Sequence, residues 1–368
     1  MRAIYIHIPF CVRKCDYCDF VSFPGLDENT IGRYVDAVCE ELEAKKHFLS
    51  GGISTVYFGG GTPSLLSPAR LERIFSVMRR TCPKFPDGQE VTLEANPGTV
   101  DVNKLRTFRE LGINRISLGV QSFDNNLLKL LGRIHTARQA LDAYDACRRA
   151  GFDNVSMDIM FALPDQTIAG WEKTLSTAVS LKPEHLSVYN LQVEEGTPMW
   201  EKKYSPQAGN KLAFPGEEED AEMYLLAVRY LGQRGYNRYE ISNFALKGRE
   251  CRHNLNYWEN RDYVGLGVAA HSCVNGIRQS NTCVFADYLV SPAESVVEKW
   301  PSTALSRRQE TLFLGLRLSA GVETELFAGY EKDVRELLAD GLIEETDGRY
   351  RLTEQGVLLG NRVFARFV

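Results

Sequence analysis

From residue 3 to about residue 190 the chain alternates short β-branched or aromatic runs with longer amphipathic stretches, and that alternation leaves few folds open. Runs at 3–8, 55–59, 91–95, 115–119, 155–159 and 185–190 read as strands. Between them, 29–48, 68–80, 102–111, 137–150 and 168–181 carry apolar residues three and four apart, and several open on Asp, Ser or Thr, as helices do. Six βα units in succession predict an α/β fold, an incomplete parallel (β/α)6 barrel of the TIM type.

After residue 200 the pattern changes. The polar, Pro- and Gly-containing stretch 204–220, YSPQAGNKLAFPGEEED, reads as a loop running into an acidic first helical turn. The expected organisation is a partial barrel over 1–215 and an extension over 216–300, with one long helix and irregular Gly-, Asn- and Tyr-rich sequence. A small α+β module over 301–368 follows, with helices and then a hairpin turning at Asp347–Gly348, the order of a winged helix.

Composition excludes several classes. A net charge of -5 and a hydrophobic fraction of 44% over 368 residues suit a soluble enzyme and not a tail that coats nucleic acid or anionic lipid. The start, MRAIYIHIPFC, lacks a secretory cleavage site, and no stretch approaches the roughly 20 apolar residues of a membrane helix. Nine cysteines, an odd number and mostly far apart, fit reduced thiols better than a disulfide framework. A cytoplasmic chain with at most peripheral membrane contact is the expectation.

Chemistry concentrates in loops that follow the strands. Cys11, Cys15 and Cys18 stand in C-x3-C-x2-C spacing on the loop after the first strand, close enough to converge on one [4Fe–4S] cubane. Three thiolates for four irons leave one iron open to a ligand. Phe20 occupies the place where a fourth cysteine might stand. The competing readings are a zinc knuckle or three buried cysteines. Gly59–Gly60–Gly61–Thr62–Pro63 after the second strand would let backbone approach a ligand closely, although a purely structural turn reads the same way. Glu94, Gln121, Arg133 and Asp158 lie at or just beyond strand ends. As a set they match a cationic ligand with an α-carboxylate and a diol, which needs an Arg, acidic groups and amides.

In order, YIHIPFCVRKCDYCDF, YFGGGTPS, LEANPGT, RISLGVQSF, LGRIHT, MDIMFALPDQT and LSVYNLQVEEGTP resemble the coproporphyrinogen-dehydrogenase-like branch of the radical-SAM proteins over nearly the whole chain. The resemblance implies a [4Fe–4S] cluster on Cys11, Cys15 and Cys18 that chelates S-adenosylmethionine. It also implies that Tyr5, Gly60, Gly61, Thr62, Glu94, Gln121, Arg133 and Asp158 contact that ligand. Within the branch, three features favour the HemW haem chaperones over the oxygen-independent dehydrogenases: a cluster motif almost at the start, Phe20 in place of a further cysteine, and the motif His253-Asn254-Leu255-Asn256-Tyr257-Trp258.

That motif carries the haem expectation. A neutral His253 imidazole is a common kind of axial ligand for haem iron, and Tyr257 and Trp258 supply apolar surface for a porphyrin. A packed histidine beside core aromatics is the bland alternative, and the resemblance favours ligation. Cys251 invites a covalent link to haem, but c-type attachment expects C-x-x-C-H, which is absent. His7, His135 and His271 offer less, and Ala269 stands where the resemblance leads one to expect glycine.

The resemblance therefore implies a haem chaperone that serves haem-acceptor proteins, respiratory haem enzymes among them, and draws electrons from a low-potential donor such as flavodoxin or ferredoxin. Oxidative decarboxylation of coproporphyrinogen III is the alternative activity. A DNA-binding redox sensor is a third. It is disfavoured because Arg307, Arg308, Arg349, Arg351, Arg362 and Arg366 are offset by Glu323, Glu325, Glu336, Glu344 and Glu345, with no basic stripe, so no nucleic-acid partner is expected.

Overall fold

A computed structural model describes residues 2–82, 88–205 and 212–368. Six strands fall where the alternation places them: β1 (Arg2–Ile8), β2 (Ile53–Gly60), β3 (Glu90–Ala95), β4 (Arg115–Gln121), β5 (Val155–Phe161) and β6 (His185–Asn190). Each pairs in parallel with the next. Helices α1 (Glu28–Ala44), α2 (Pro68–Thr81), α3 (Val102–Leu111), α4 (Ala137–Arg149) and α5 (Ile168–Ser180) connect them. Each begins at a side chain that accepts a first-turn amide: Asp27, Ser67, Asp101, Thr136 and Thr167. This is the incomplete parallel barrel, and its two edges remain unjoined.

The segment that sequence reading leaves irregular after helix α6 (Glu217–Gly232) supplies six further strands to the same sheet. Beyond β6 lie β7 (Asn237–Glu240) and β8 (Asn243–Ala245), both antiparallel additions. Beyond β1 comes β9 (Tyr263–Leu266), parallel to it, then the antiparallel β10 (His271–Val274), β11 (Ile277–Asn281) and β12 (Val296–Pro301). These strands are short, three to six residues, too brief for a period-2 pattern to stand out of the sequence. Ala269, on the turn between β9 and β10, has φ 56°, in the left-handed region that glycine takes without a Cβ clash. Of the loop 204–220, residues 206–211 lie outside the described residues.

The carboxyl-terminal module follows the expected order. Helix α8 (Ala304–Gly315), a short turn of 3-10 helix and α9 (Glu331–Ala339) precede a hairpin of Ile343–Thr346 and Arg349–Leu352, joined by Val322–Glu323. Asp347 and Gly348 both take positive φ, the two-residue turn that matches strand twist. Four arginines here pair within the module: Arg349 meets Glu323, Arg351 meets Glu344, Arg362 meets Asp340, and Arg366 meets Asp333 and Glu336. Among the described residues no helix is long and apolar enough to cross a membrane.

Along the barrel strands the two faces differ sharply. Ile4, Ile6, Ile8, Val56, Phe58, Val91, Leu93, Ile116 and Leu118 are buried on the side covered by the helices, where Phe58 meets Phe75 of α2. The other face, read across the register, carries Tyr5 opposite Tyr57, Thr92 opposite Arg115, Glu94 opposite Ser117, and Ser156 opposite His185. The barrel interior is polar, and its groups must find partners inside.

One buried charge ties the added strands to the barrel. Glu41 of α1, 0% exposed, accepts from Lys45 at 2.6 Å, Asn281 at 2.7 Å, the Gly267 amide at 2.8 Å and the Tyr288 hydroxyl at 2.7 Å. Removing one partner of such a pair strands the other charge, so Glu41→Ala is expected to cost about 3–5 kcal/mol. Urea unfolding followed by far-UV circular dichroism measures this, and a loss below about 1 kcal/mol contradicts it.

Candidate functional site

The three cysteines lie on a loop pinned at several points. At its stem the two-residue strands Phe10–Cys11 and Phe23–Pro24 pair, and the Phe23 amide donates to Pro9 O at 2.6 Å. Farther along, the Asp16 amide donates to Leu131 O and its carboxylate meets Lys202 at 2.5 Å. Cys11, Cys15 and Cys18 are unbridged, partly exposed, and line one pocket of about 390 Å³ at the carboxyl ends of the strands. Among the described residues, no three His, Cys, Asp or Glu groups gather tightly enough for a single metal ion. A four-iron cubane instead binds each thiolate to a different iron, so three thiols spread along one wall suit it as donors.

The glycine turn has a steric reason visible in the fold. A Cβ on Gly60, which has φ 110°, would fall 2.4 Å from the His7 ring, and one on Gly61 would fall 2.7 Å from Phe10 O. The turn therefore packs directly on the stem of the cysteine loop. Thr62 continues that contact, with its hydroxyl 3.6 Å from Cys11 Sγ and accepting from Asn96 Nδ2 at 2.8 Å.

Arg133 reaches across to the same wall. Its Nη1 lies 3.5 Å from Cys15 Sγ, and its Nη2 donates to Gly119 O at 2.6 Å and to Asn96 Oδ1. Burial alone would lower its pKa, but the neighbouring Tyr17 and Cys15 raise it, so the guanidinium stays charged. Gln121 sits at the end of β4 with φ 63°, a left-handed backbone that turns its side chain into the pocket wall.

Two carboxylates complete the floor. Glu94 accepts from the Tyr57 hydroxyl at 2.8 Å and the Gly60 amide at 3.2 Å. Burial, assisted by the charge of Asp158, outweighs those bonds and pushes its pKa up to about 7. Asp158 accepts from Ser117 at 3.1 Å, and burial raises it as well.

Seven of the eight residues expected to meet S-adenosylmethionine thus line one pocket with the cysteines: Gly60, Gly61, Thr62, Glu94, Gln121, Arg133 and Asp158. Tyr5 does not. Its hydroxyl shares a hydrogen bond with His7 Nδ1 at 2.9 Å, and it lines a neighbouring pocket of about 240 Å³ with Phe20, Tyr57, Gly60, Glu94, His253 and Tyr257. Sequence reading passed over Asn96, Tyr57 and Tyr189. Asn96 and Tyr189 stand at or just past strand ends, and Tyr57 shares the inward period of Thr55, signals that were available.

Helix α7 (Arg252–Trp258) carries the HNLNYW motif into the barrel interior. The Glu90 carboxylate, at the start of β3, caps it by accepting from the Arg252 amide at 2.9 Å and the His253 amide at 3.0 Å. His253 is 1% exposed. Its Nδ1 shares a hydrogen bond with Thr55 Oγ1 at 2.8 Å, its Nε2 shares one with Tyr257 OH at 2.9 Å, and its ring stacks on Tyr57 at 5.0 Å. Burial, and then the charge of Arg115, lowers its pKa to about 3, so the imidazole is neutral.

The other motif residues divide. Tyr257 shares the His253 face one turn on, whereas Trp258 points toward the carboxyl-terminal module, where the Arg317 guanidinium lies 4.5 Å from its ring centre. Cys251 is buried with its pKa pushed up to about 12, a protonated and unreactive thiol. His7 and His135 are buried and hydrogen-bonded to backbone carbonyls of Val21 and Val120, and His271 is exposed. Phe20 is 61% exposed at the rim.

The family model described as Radical SAM superfamily matches residues 5–178, and that described as HemN C-terminal domain matches 303–359. The chain is 36% identical to "Heme chaperone HemW" of Bacillus subtilis (strain 168), covering 100% of this chain and 99% of that one. It is 32% identical to "Heme chaperone HemW" of Escherichia coli (strain K12), covering 100% and 98%. A mitochondrial "Radical S-adenosyl methionine domain-containing protein 1" of Danio rerio is 31% identical, covering 97% and 84%. The coproporphyrinogen III oxidase HemN of Escherichia coli, a solved structure, superposes with TM-score 0.85 over 100% of this chain and 90% of its own, at 22% identity, a likeness of fold. With a radical-SAM barrel, a HemN-type carboxyl-terminal domain and relatives matched end to end, the chain belongs to the HemW family of radical-SAM proteins.

Proposed function

We propose that this chain is a cytoplasmic haem chaperone that carries a [4Fe–4S] cluster on Cys11, Cys15 and Cys18, holds S-adenosylmethionine in the adjoining pocket, and binds haem beside His253 for delivery to haem-requiring proteins. The observation that carries the reading is the convergence of three unbridged thiols, Arg133 and the Glu94–Asp158 floor on one pocket, with the motif helix forming the wall of the next pocket. When bound, the cluster supplies one electron to the sulfonium ligand.

The protein's own groups set the terms. Arg133 supplies a charged planar donor for an α-carboxylate, Asp158 and Gln121 supply acceptors and an amide for hydroxyls and ring nitrogens, and the Gly60–Gly61 backbone leaves room for close approach. His253 offers a neutral nitrogen, and Thr55 holds the opposite ring atom as a supporting partner holds a metal-bound histidine. Ligation of haem iron at Nε2 requires that atom to leave the Tyr257 hydroxyl. Val12 and Phe20 are exposed beside the cysteines, with Arg13 and Lys14 between them, a surface suited to an acidic low-potential electron donor such as flavodoxin or ferredoxin. The paired arginines of the carboxyl-terminal module support a role without nucleic acid.

The test is an anaerobic haem titration of the reconstituted protein followed through the Soret band. Uptake near one haem per chain, weakened or spectrally altered by His253→Ala, is expected. No uptake by the native protein, together with formation of protoporphyrinogen from coproporphyrinogen III, would replace the chaperone with a dehydrogenase.

The Glu94 floor makes a separate prediction. The sulfonium is a fixed cation, so it favours the ionised carboxylate, and Glu94 gains that charge as pH rises through about 7. Affinity for S-adenosylmethionine should rise several-fold from pH 6 to pH 8 and level off above, a dependence that Glu94→Gln should flatten. Equilibrium dialysis across that range checks it, and an unchanged slope in Glu94→Gln contradicts it.

A further inference from the structure

The bonds around His253 form a chain that ends at the floor of the larger pocket. Tyr57 has two ring neighbours inclined to it by less than 30°, Tyr5 at 6.3 Å and 24° and His253 at 5.0 Å and 29°. Packed against both rings, Tyr57 presents its hydroxyl to Glu94 Oε1 at 2.8 Å. The His253 ring is fixed in turn, because Thr55 and Tyr257 hold its two nitrogens at opposite ends. Those two hydroxyls can each donate or accept, so they suit either tautomer of a neutral imidazole. An apolar side chain of similar size would fill the volume and leave both hydroxyls without their partner.

We infer that His253 is a positioning residue for the S-adenosylmethionine pocket, acting through the Tyr57 ring to hold the Glu94 carboxylate in place. Tyr57 occupies one Glu94 oxygen and the Gly60 amide the other, so the carboxylate is oriented from two sides and presents its remaining lone pairs to the pocket. Release of the imidazole frees the Tyr57 ring to rotate and loosens one of those two anchors. The inference rests on the placement of S-adenosylmethionine against Glu94 and is independent of haem.

The experiment measures S-adenosylmethionine dissociation constants on haem-free, cluster-reconstituted protein for the native chain, Tyr57→Phe, His253→Ala and the double variant. Loss of a hydrogen bond to a charged acceptor predicts weakening of about tenfold for Tyr57→Phe. His253→Ala is expected to weaken binding comparably, and the double variant no further than Tyr57→Phe alone, because both changes act on one path. At saturating S-adenosylmethionine the electron paramagnetic resonance spectrum of the reduced cluster should match the native one in every variant, a signature that general damage to the fold would not preserve. Should His253→Ala fail to fold, Thr55→Val and Tyr257→Phe each free one end of the imidazole and are expected to give several-fold losses that Tyr57→Phe absorbs. Native affinity in the His253, Thr55 and Tyr257 variants, or losses that add to that of Tyr57→Phe, overturn the inference. If Glu94→Gln also binds normally, the placement of the ligand falls with it, whereas a weakened Glu94→Gln beside a normal His253→Ala condemns the positioning role alone.

Discussion

The inward face of the barrel is built almost without hydrocarbon, and the rest of the molecule answers that constraint. Thr55, Tyr57, Glu90, Thr92, Glu94, Arg115, Ser117, Ser156, Asp158 and His185 share one face of consecutive strands. A polar group shut from water costs on the order of 1–3 kcal/mol when unpaired, so such an interior is stable only if its members pair with one another or with something inserted among them. Ser156 shares a hydrogen bond with His185 Nδ1 at 2.8 Å, and His185 Nε2 reaches Tyr239 OH at 2.9 Å. Arg115 Nε and Thr92 Oγ1 are left over among the protein groups. The apolar ledger is kept on the outer face, under the helices, which is why the strands still read as β-branched runs.

Helix α7 is the inserted element. Its seven residues are too few for a helix stable on its own, and its position depends on the Glu90 carboxylate at its first turn and on the His253 bond to Thr55. Through Trp258 and Arg317 the same helix touches the carboxyl-terminal module, and the β8–β7 edge meets that module again where Ser319 donates to Tyr239 O at 3.0 Å. One short helix therefore contacts the barrel interior, the wall beside the cysteine loop and the terminal module.

Much of this was legible in the sequence, for identifiable reasons. Strands and helices of the barrel are long enough for their periods to show, and each of its five connecting helices has a capping side chain. The cysteine spacing names its own chemistry. The strands at 237–301 escaped because three to six residues do not establish a period, and because several pair with strands distant in sequence, as β9 does with β1 across some 260 residues. Within the motif, spacing alone separates the faces: residues four apart, His253 and Tyr257, lie on one side and meet edge to face, while Trp258 is turned about 100° farther round the helix and cannot share it. Tyr5, which the resemblance places in the ligand-contacting set, lines the adjoining pocket, its hydroxyl hydrogen-bonded to His7 Nδ1 two residues on along the same strand face.

The geometry also puts two demands on one side chain. In the haem-free chain the His253 imidazole is held at both nitrogens and supports Tyr57, and through it Glu94. In the proposed haem-loaded chain Nε2 exchanges the Tyr257 hydroxyl for iron, either by a tilt of the ring about the nitrogen held by Thr55 or by withdrawal of the Tyr257 side chain. A tilt changes the surface offered to Tyr57. Binding energies are state functions, so to whatever extent haem alters the hold on Glu94, the ligand at Glu94 alters the hold on haem by the same factor. A chaperone of the proposed kind has to release what it carries, and an imidazole shared by both pockets would give the occupancy of one a route to weaken or strengthen the grip of the next.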